Sequence, residues 1–266
     1  MSTKVSRQYK ALREADLAKW QVTFWMVKRK PIQRGANYSV LRVDIDAKLA
    51  KRLRGYVRSQ VQGKDFHLAQ YEFSNADTDD VLLTLESGIT DFSKIEDAIS
   101  QVESAVGDGF KNARVTSYDQ LLNSWAYVVE FEQGSERIFA WRKISAMTQP
   151  KAVQSTKALI WQNQKLTDVD DKEVFLIDPH FDFFVMGGTT FIVHKRNFES
   201  AMNFREGMKT HGAEILDHFE DAGIIENVEA VRQDVGDNLH HLRKLASSRK
   251  AGYYKQPNVL KRLIQV

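Results

Sequence analysis

The chain contains no cysteine, and only 4 prolines and 14 glycines occur among its 266 residues. Without thiols there is no disulfide framework, no thiolate nucleophile and no zinc-finger or iron–sulfur ligand set. The shortage of Pro and Gly leaves no loose linker, low-complexity tract or internal repeat. No apolar run approaches the ~18 residues of a membrane span. The N-terminus, from Met1-Ser2-Thr3-Lys4 onward, alternates charged and apolar residues and lacks the apolar core of a signal peptide. These absences predict a soluble, cytoplasmic protein.

What is present is charge, and it is segregated. With 38 Lys+Arg against 35 Asp+Glu the formal net charge is only +3. Residues 1–70 nevertheless carry +11, 71–136 carry −11, 137–165 carry +6, 166–237 carry −10, and 238–266 carry +7. Mixed-sign surfaces do not block out in this way, so the local values carry more information than the total.

The pattern of apolar residues places elements along the chain. Gln21–Val27 and Tyr38–Asp44 are β-branched and aromatic runs that read as strands, with Pro31 and Gly35 marking a loop between them. From Ala47 to Gln62 the period becomes helical, through Leu49, Leu53, Val57 and Val61. Val81–Leu85 reads as a strand, and Ser93 with Glu96 as the capping box of a helix carrying Ile95, Ile99 and Val102. Trp125–Phe131 and Arg137–Ile144 form a hairpin about Gly134, and Ala158–Gln162 is a further strand. Phe181–Met186 and Thr189–His194 flank Gly187-Gly188 as a second hairpin. Phe181, Phe183 and Val185 are expected on one face of it, Phe184 and Met186 on the other. Both faces are apolar, so this hairpin is expected in the middle of a sheet. After Asn197 the sequence reads as helical to its end, stopping at Gly223 and resuming with a stripe through Val228, Val231, Val235, Leu239, Leu242 and Leu245. The prediction is an α+β fold: a mixed sheet built from hairpins in the first two-thirds, then a helical C-terminal third. A division into 1–150, an N-terminal α/β domain, and 151–266, a β-hairpin plus helical region, follows from the element order.

Two basic constellations suggest a polyanion partner. On the 47–62 helix Lys48, Lys51, Arg52, Arg54 and Arg58 fall opposite the apolar arc, with no acidic residue between Asp46 and Asp65. A merely solvated face usually mixes signs, because Glu/Lys pairs four residues apart support the helix. Like charges that repel one another here are offset best by phosphates and counterion release. The second constellation holds Arg243, Lys244, Arg249, Lys250 and Lys255 with Tyr253 and Tyr254 interleaved, suited to tracking a backbone with stacking. The competing use is neutralisation of acidic blocks, in the same chain or in another copy, which would give a charge-complementary homo-oligomer. Asp77, Asp79, Asp80, Asp168, Asp170 and Asp171 read as polar loops that such contacts could recruit.

Catalytic motifs are weak. Asp44-Ile45-Asp46-Ala47-Lys48 has the composition of a metal-dependent nuclease motif, yet an aspartate at the end of a strand commonly caps the next helix. Asp178-Pro179-His180-Phe181-Asp182 gathers an imidazole and two carboxylates, but Asp before Pro is more simply a turn. No GxGxxG, GxxxxGK[ST], HExxH or GxSxG motif is present, so no cofactor and no enzymatic activity are expected.

The hairpins carry a resemblance. Tyr127-Val128-Val129-Glu130-Phe131, then Ile138 to Ile144, then Phe181-Asp182-Phe183-Phe184, Phe191-Ile192-Val193 and Asn197-Phe198-Glu199 resemble the KwaB-like family of the Kiwa anti-phage defence system. Leu242-Arg243-Lys244-Leu245 also fits the pattern. The family continues past the position of Val266, so the chain is expected to be C-terminally shortened. The resemblance implies a cytosolic partner of the small membrane protein KwaA, recruited to the inner membrane through it. It also implies DNA binding that obstructs phage replication. It brings no catalytic residues. The expectation is a DNA-binding effector acting by occupancy without sequence preference, with a metal-dependent nuclease or a charge-complementary scaffold as alternatives.

Overall fold

In the computed structural model of the chain, a sheet of eight strands carries helices on both faces. The residues described are 2–32, 35–72, 75, 79–86, 93–108, 114–145, 159–162, 165–168, 175–202, 204–221, 223, 225, 227–236, 238, 240–242 and 244–245. Helix α1 (Thr3–Glu14) leads into the long hairpin β1 (Gln21–Ile32) and β2 (Gly35–Val43). Helix α2 (Ala47–Val57) continues into a π-helical turn, Arg58–Gln62, before β3 (His67–Gln70) and β4 (Val81–Glu86). Helix α3 (Ser93–Gly107) precedes the hairpin β5 (Ala126–Gln133) and β6 (Glu136–Lys143). A separate two-stranded piece, β7 (Leu159–Gln162) with β8 (Lys165–Asp168), is followed by the hairpin β9 (Phe183–Met186) and β10 (Thr189–Ile192). Helices α4 (Lys195–Ala201), α5 (Arg205–Asp221) and α6 (Val228–Val235) follow, and helical residues recur at 240–242 and 244–245.

The strand order is β2-β1-β5-β6-β9-β10-β4-β3. Every neighbouring pair is antiparallel except β3 with β4. The mixed sheet and the helical C-terminal part agree with the expected α+β class. Strands from both sides of residue 150 share hydrogen bonds, because β9 pairs with β6 through Phe139, Ala140 and Trp141. The Phe-rich hairpin is central, as its two apolar faces require.

Side chains alternate between two cores. Phe24, Met26, Tyr127, Val129, Ile138, Ala140, Phe184 and Phe191 point to the face covered by α1 and α2. Trp25, Val27, Val128, Phe139, Trp141, Phe183, Val185 and Ile192 point to the face covered by α3, α4 and α5. The period of two is that of extended backbone. One register departs from expectation: Phe181 lies with Phe184, ring centroids 5.7 Å apart, and not with Phe183. The cause is a bend at Asp182, before β9 begins. The backbone groups of Phe181 leave the ladder there: its N–H donates to Gln60 Oε1 at 2.7 Å and its C=O accepts from Gln60 Nε2 at 3.0 Å. Gln60 reaches them from the π-helical turn, where the widened backbone interrupts the regular helix that the sequence pattern suggested through Gln62.

Gly187 and Gly188 take φ of +57° and +78°, which a tight two-residue turn demands. A Cβ on Gly187 would stand 2.3 Å from Gln8 Nε2, which donates to the Gly187 carbonyl at 2.7 Å. Gln8 also accepts from the Thr189 hydroxyl, so α1 is fastened to the tip of the central hairpin. The expected stripe from Val228 to Leu245 is not one helix, since α6 stops at Gly236 with φ +40°. The expected Ser93–Glu96 capping box and Ala158 lie outside the described side chains. Among the described residues, no helix is long and apolar enough to cross a membrane.

Candidate nucleic-acid interface

Helix α1, which the opening residues did not suggest, forms because Val5, Tyr9 and Leu12 recur at helical spacing behind Ser2. The Ser2 hydroxyl accepts from the Val5 N–H at 3.3 Å, and all three apolar residues are buried. Helix α2 begins where Asp46 accepts from the Leu49 N–H at 2.7 Å, and it buries Leu53 and Val57. The two helices are joined at their C-terminal ends. Gln62 Nε2 donates to the carbonyls of Ala15 at 2.8 Å and Leu12 at 3.2 Å, and the Phe66 N–H donates to the Tyr9 hydroxyl at 3.2 Å. With both apolar stripes turned onto one face of the sheet, the polar stripes of both helices face solvent.

That outer surface is basic. Lys48, Lys51, Arg52 and Arg58 are exposed, as are Lys4, Arg7 and Lys10 of α1. Among the described residues none of these seven lies within ion-pair distance of a carboxylate. The carboxylates of the same layer are mostly committed elsewhere. Asp46 caps α2, Asp65 accepts from Arg13 at 2.6 Å, Asp16 lies 3.1 Å from Lys19, and Asp44 pairs with Arg114. The hydrogen bond from Lys19 holds the Asp16 carboxyl below the usual carboxylate range. Both acids of the Asp44–Lys48 motif therefore have structural partners. The α1 cations were missed in the sequence because the Ser2–Val5–Tyr9–Leu12 signature is short, although it is present.

Arg54 behaves differently from its neighbours. It is half-buried and donates through Nη2 to the Trp20 carbonyl at 2.7 Å, which ties α2 to the turn before β1. The second basic constellation is brought in only at its edge. Lys244 is exposed, whereas Arg243, Arg249, Lys250 and Lys255 lie outside the described residues. Its buried neighbour Leu242 packs in the core under α3 to α5, on the opposite face of the sheet from α2. The described parts of the two constellations thus do not share a face.

A polar hub locks the centre of the fold. Asp182, fully buried, accepts from Arg142, from the Lys143 N–H at 2.8 Å and from Asn197 Nδ2 at 2.9 Å. Arg142 also pairs with Asp178. Asp178 and Asp182 are held by this guanidinium, and among the described residues no three His, Asp or Glu side chains gather as metal ligands. In the aromatic core nearby, Lys195 lies 3.1 Å from Glu199, which accepts from the Tyr71 hydroxyl at 2.8 Å.

A family model described as Kiwa protein KwaB-like matches residues 121–266. That segment begins just before β5 and contains the Asp182 hub and the Asn197-Phe198-Glu199 turn of α4. It excludes α1 and α2, so the basic layer belongs to the part of the chain before the match. Neither the curated proteins nor the solved structures contain a match.

Proposed function

The chain belongs to the KwaB-like family of the Kiwa anti-phage defence system, and on that premise we propose that it binds DNA through the α1–α2 layer and acts by occupancy. The observation that carries this reading is the set of seven exposed cations on two helices that cover the same face of the sheet, with no ion pair to any described carboxylate. Clustered Lys and Arg read phosphate charge and not base edges, so binding would have little sequence preference. In this reading the chain is not an enzyme. It works in a complex with a KwaA-like membrane partner, as a homo-oligomer, and the C-terminal constellation of Arg243, Lys244, Arg249, Lys250 and Lys255 supplies further phosphate contacts.

The test is a salt titration of DNA affinity. A steep linear fall of log K with log salt is expected, and replacing Lys48, Lys51, Arg52 and Arg58 together by Ala should reduce the slope by about 3–4. A flat salt dependence, or an unchanged slope in the variant, overturns the proposal. Arg54 is left out of the variant because its contact with Trp20 is structural. Incubation of DNA with Mg²⁺ or Mn²⁺ separates occupancy from a nuclease: intact DNA supports the former.

A second reading is favoured by one observation. The helices on the opposite face expose Asp97, Asp108, Glu214, Asp217, Glu220, Asp221, Glu229 and Asp234. A basic face and an acidic face on one molecule can pair between copies. Light scattering would then show dissociation at high salt in a protein with no affinity for DNA.

A further inference from the structure

At one end of the sheet, on the α3–α4 face, four strands bring rings and cations together. Arg29 of β1 stands opposite Tyr38 of β2 in register. Trp125 extends β5, its N–H donating to the Val27 carbonyl at 2.8 Å and its C=O accepting from Ile144 at 3.0 Å. Lys143 ends β6, in register with Ala126. The rings form a continuous series: Tyr38 to Trp125 at 5.2 Å, Trp125 to Trp141 at 6.4 Å, and Trp141 stacked on Phe183 at 5.3 Å. The Arg29 guanidinium lies over the Trp125 ring, 5.9 Å from its centroid.

Two features of this cluster are unresolved by the fold itself. Among the described residues, Arg29 Nε and Trp141 Nε1 are buried donors without a hydrogen-bond partner, and Trp141 is only 1% exposed. Buried donors normally find an acceptor, because leaving one unpaired costs about 1–3 kcal/mol. The second feature is a pair of neighbouring cations. Burial lowers the pKa of the Lys143 ammonium and the positive charge of Arg29 pushes the same way, while Asp182 opposes them. Asp182 is already engaged by Arg142, the Lys143 N–H and Asn197, and among the described residues Lys143 Nζ donates to Ser200, to its Oγ at 2.7 Å and its C=O at 3.3 Å. Tyr38, Trp125, Arg29 and Lys143 are all half-buried, so each keeps an edge open to solvent.

We propose that this cluster is a binding site for an unpaired nucleotide of single-stranded DNA. The base packs against the Tyr38 and Trp125 rings, which lie 5.2 Å apart and tilted 56° to each other, and the phosphate meets Arg29 and Lys143. Rings supply stacking that tolerates any base, and adjacent cations supply the backbone contact, which is the combination that single-strand binding uses. The site lies on the opposite face of the sheet from the α1–α2 layer and does not depend on it.

The experiment measures anisotropy of a labelled short oligothymidylate and of a labelled duplex with the full chain. Trp125→Leu should weaken oligothymidylate binding about tenfold or more, and Trp125→Phe should restore most of it. Arg29→Gln should also weaken it, and it serves where Trp125→Leu impairs folding. Both variants should leave duplex binding within about twofold. The Ala variant at Lys48, Lys51, Arg52 and Arg58 should do the reverse, weakening the duplex far more than the oligothymidylate. Absence of oligothymidylate binding by the unaltered chain, or equal binding by folded Trp125→Leu or Arg29→Gln, overturns the site. Neither result bears on duplex binding by the basic layer.

Discussion

The helices on the two faces of the sheet treat polar groups in opposite ways. Beneath α1 and α2 the core is aliphatic and aromatic, with Gln60 buried from the π-helical turn that follows; the cations of the two helices other than Arg54 stay at the surface. Beneath α3, α4 and α5 ionisable groups enter the interior. Glu130 accepts from Trp25 Nε1 at 3.0 Å, Lys195 pairs with Glu199, and Glu103 is largely desolvated. The contrast separates two kinds of electrostatics. Exposed charges on the first face are screened and contribute little to stability, so they are free to meet a ligand. Glu130, Lys195 and Glu199 on the second face are held by specific partners, and losing such a partner is costly.

The strongest way to break this contrast is at the hub that joins the faces. Asp182→Ala leaves Arg142 with Asp178 alone and strips the Lys143 N–H and Asn197 of an acceptor. Urea unfolding should show a loss of about 3–5 kcal/mol. Gln60→Ala orphans the N–H and C=O of Phe181, and the same measurement should show a loss of about 2–3 kcal/mol.

Glu103 sharpens the contrast through pH. Burial raises its pKa from 4.5 to about 7. The folded state therefore retains a proton that the unfolded state releases, and stability falls as pH rises from about 4.5 to about 7. Glu103→Gln should stabilise the protein at pH 8, by roughly 1–3 kcal/mol, and do nothing at pH 4. Equal effects at both pH values would exclude titration as the cause. The smallest effect is expected on the basic face. The Ala variant at Lys48, Lys51, Arg52 and Arg58 should unfold within about 0.5 kcal/mol per site of the unaltered chain, whatever it does to DNA affinity. A larger loss would mean that these cations support the fold.

Much of the sheet was legible in the sequence because strands covered on both faces are dense in Phe, Trp, Val and Ile, and because Gly134 and Gly187-Gly188 mark their turns. Asp46 as a cap was legible for the same local reason. The short parallel edge strand β3 was not, since His67-Leu68-Ala69-Gln70 has no alternation strong enough to show and is paired by β4 alone. Phe181 was assigned to the wrong face because strict alternation ignores a bend, and the bend exists only because Asp182 and Gln60 find partners far away in the chain.

The sequence by itself determined the types of most of the longer elements, the two apolar faces of the central hairpin, the blocks of charge and the stretch that carries the family match. These are local properties, readable from periodicity and composition. The tertiary structure decided that α1 and α2 share one face and that Arg54 turns inward to Trp20. It also decided that Arg29, Tyr38, Trp125 and Lys143 meet at one end of four strands. Such facts depend on which distant segments pair in the sheet, and strand order is set by packing between residues scores of positions apart, beyond the reach of any window of sequence.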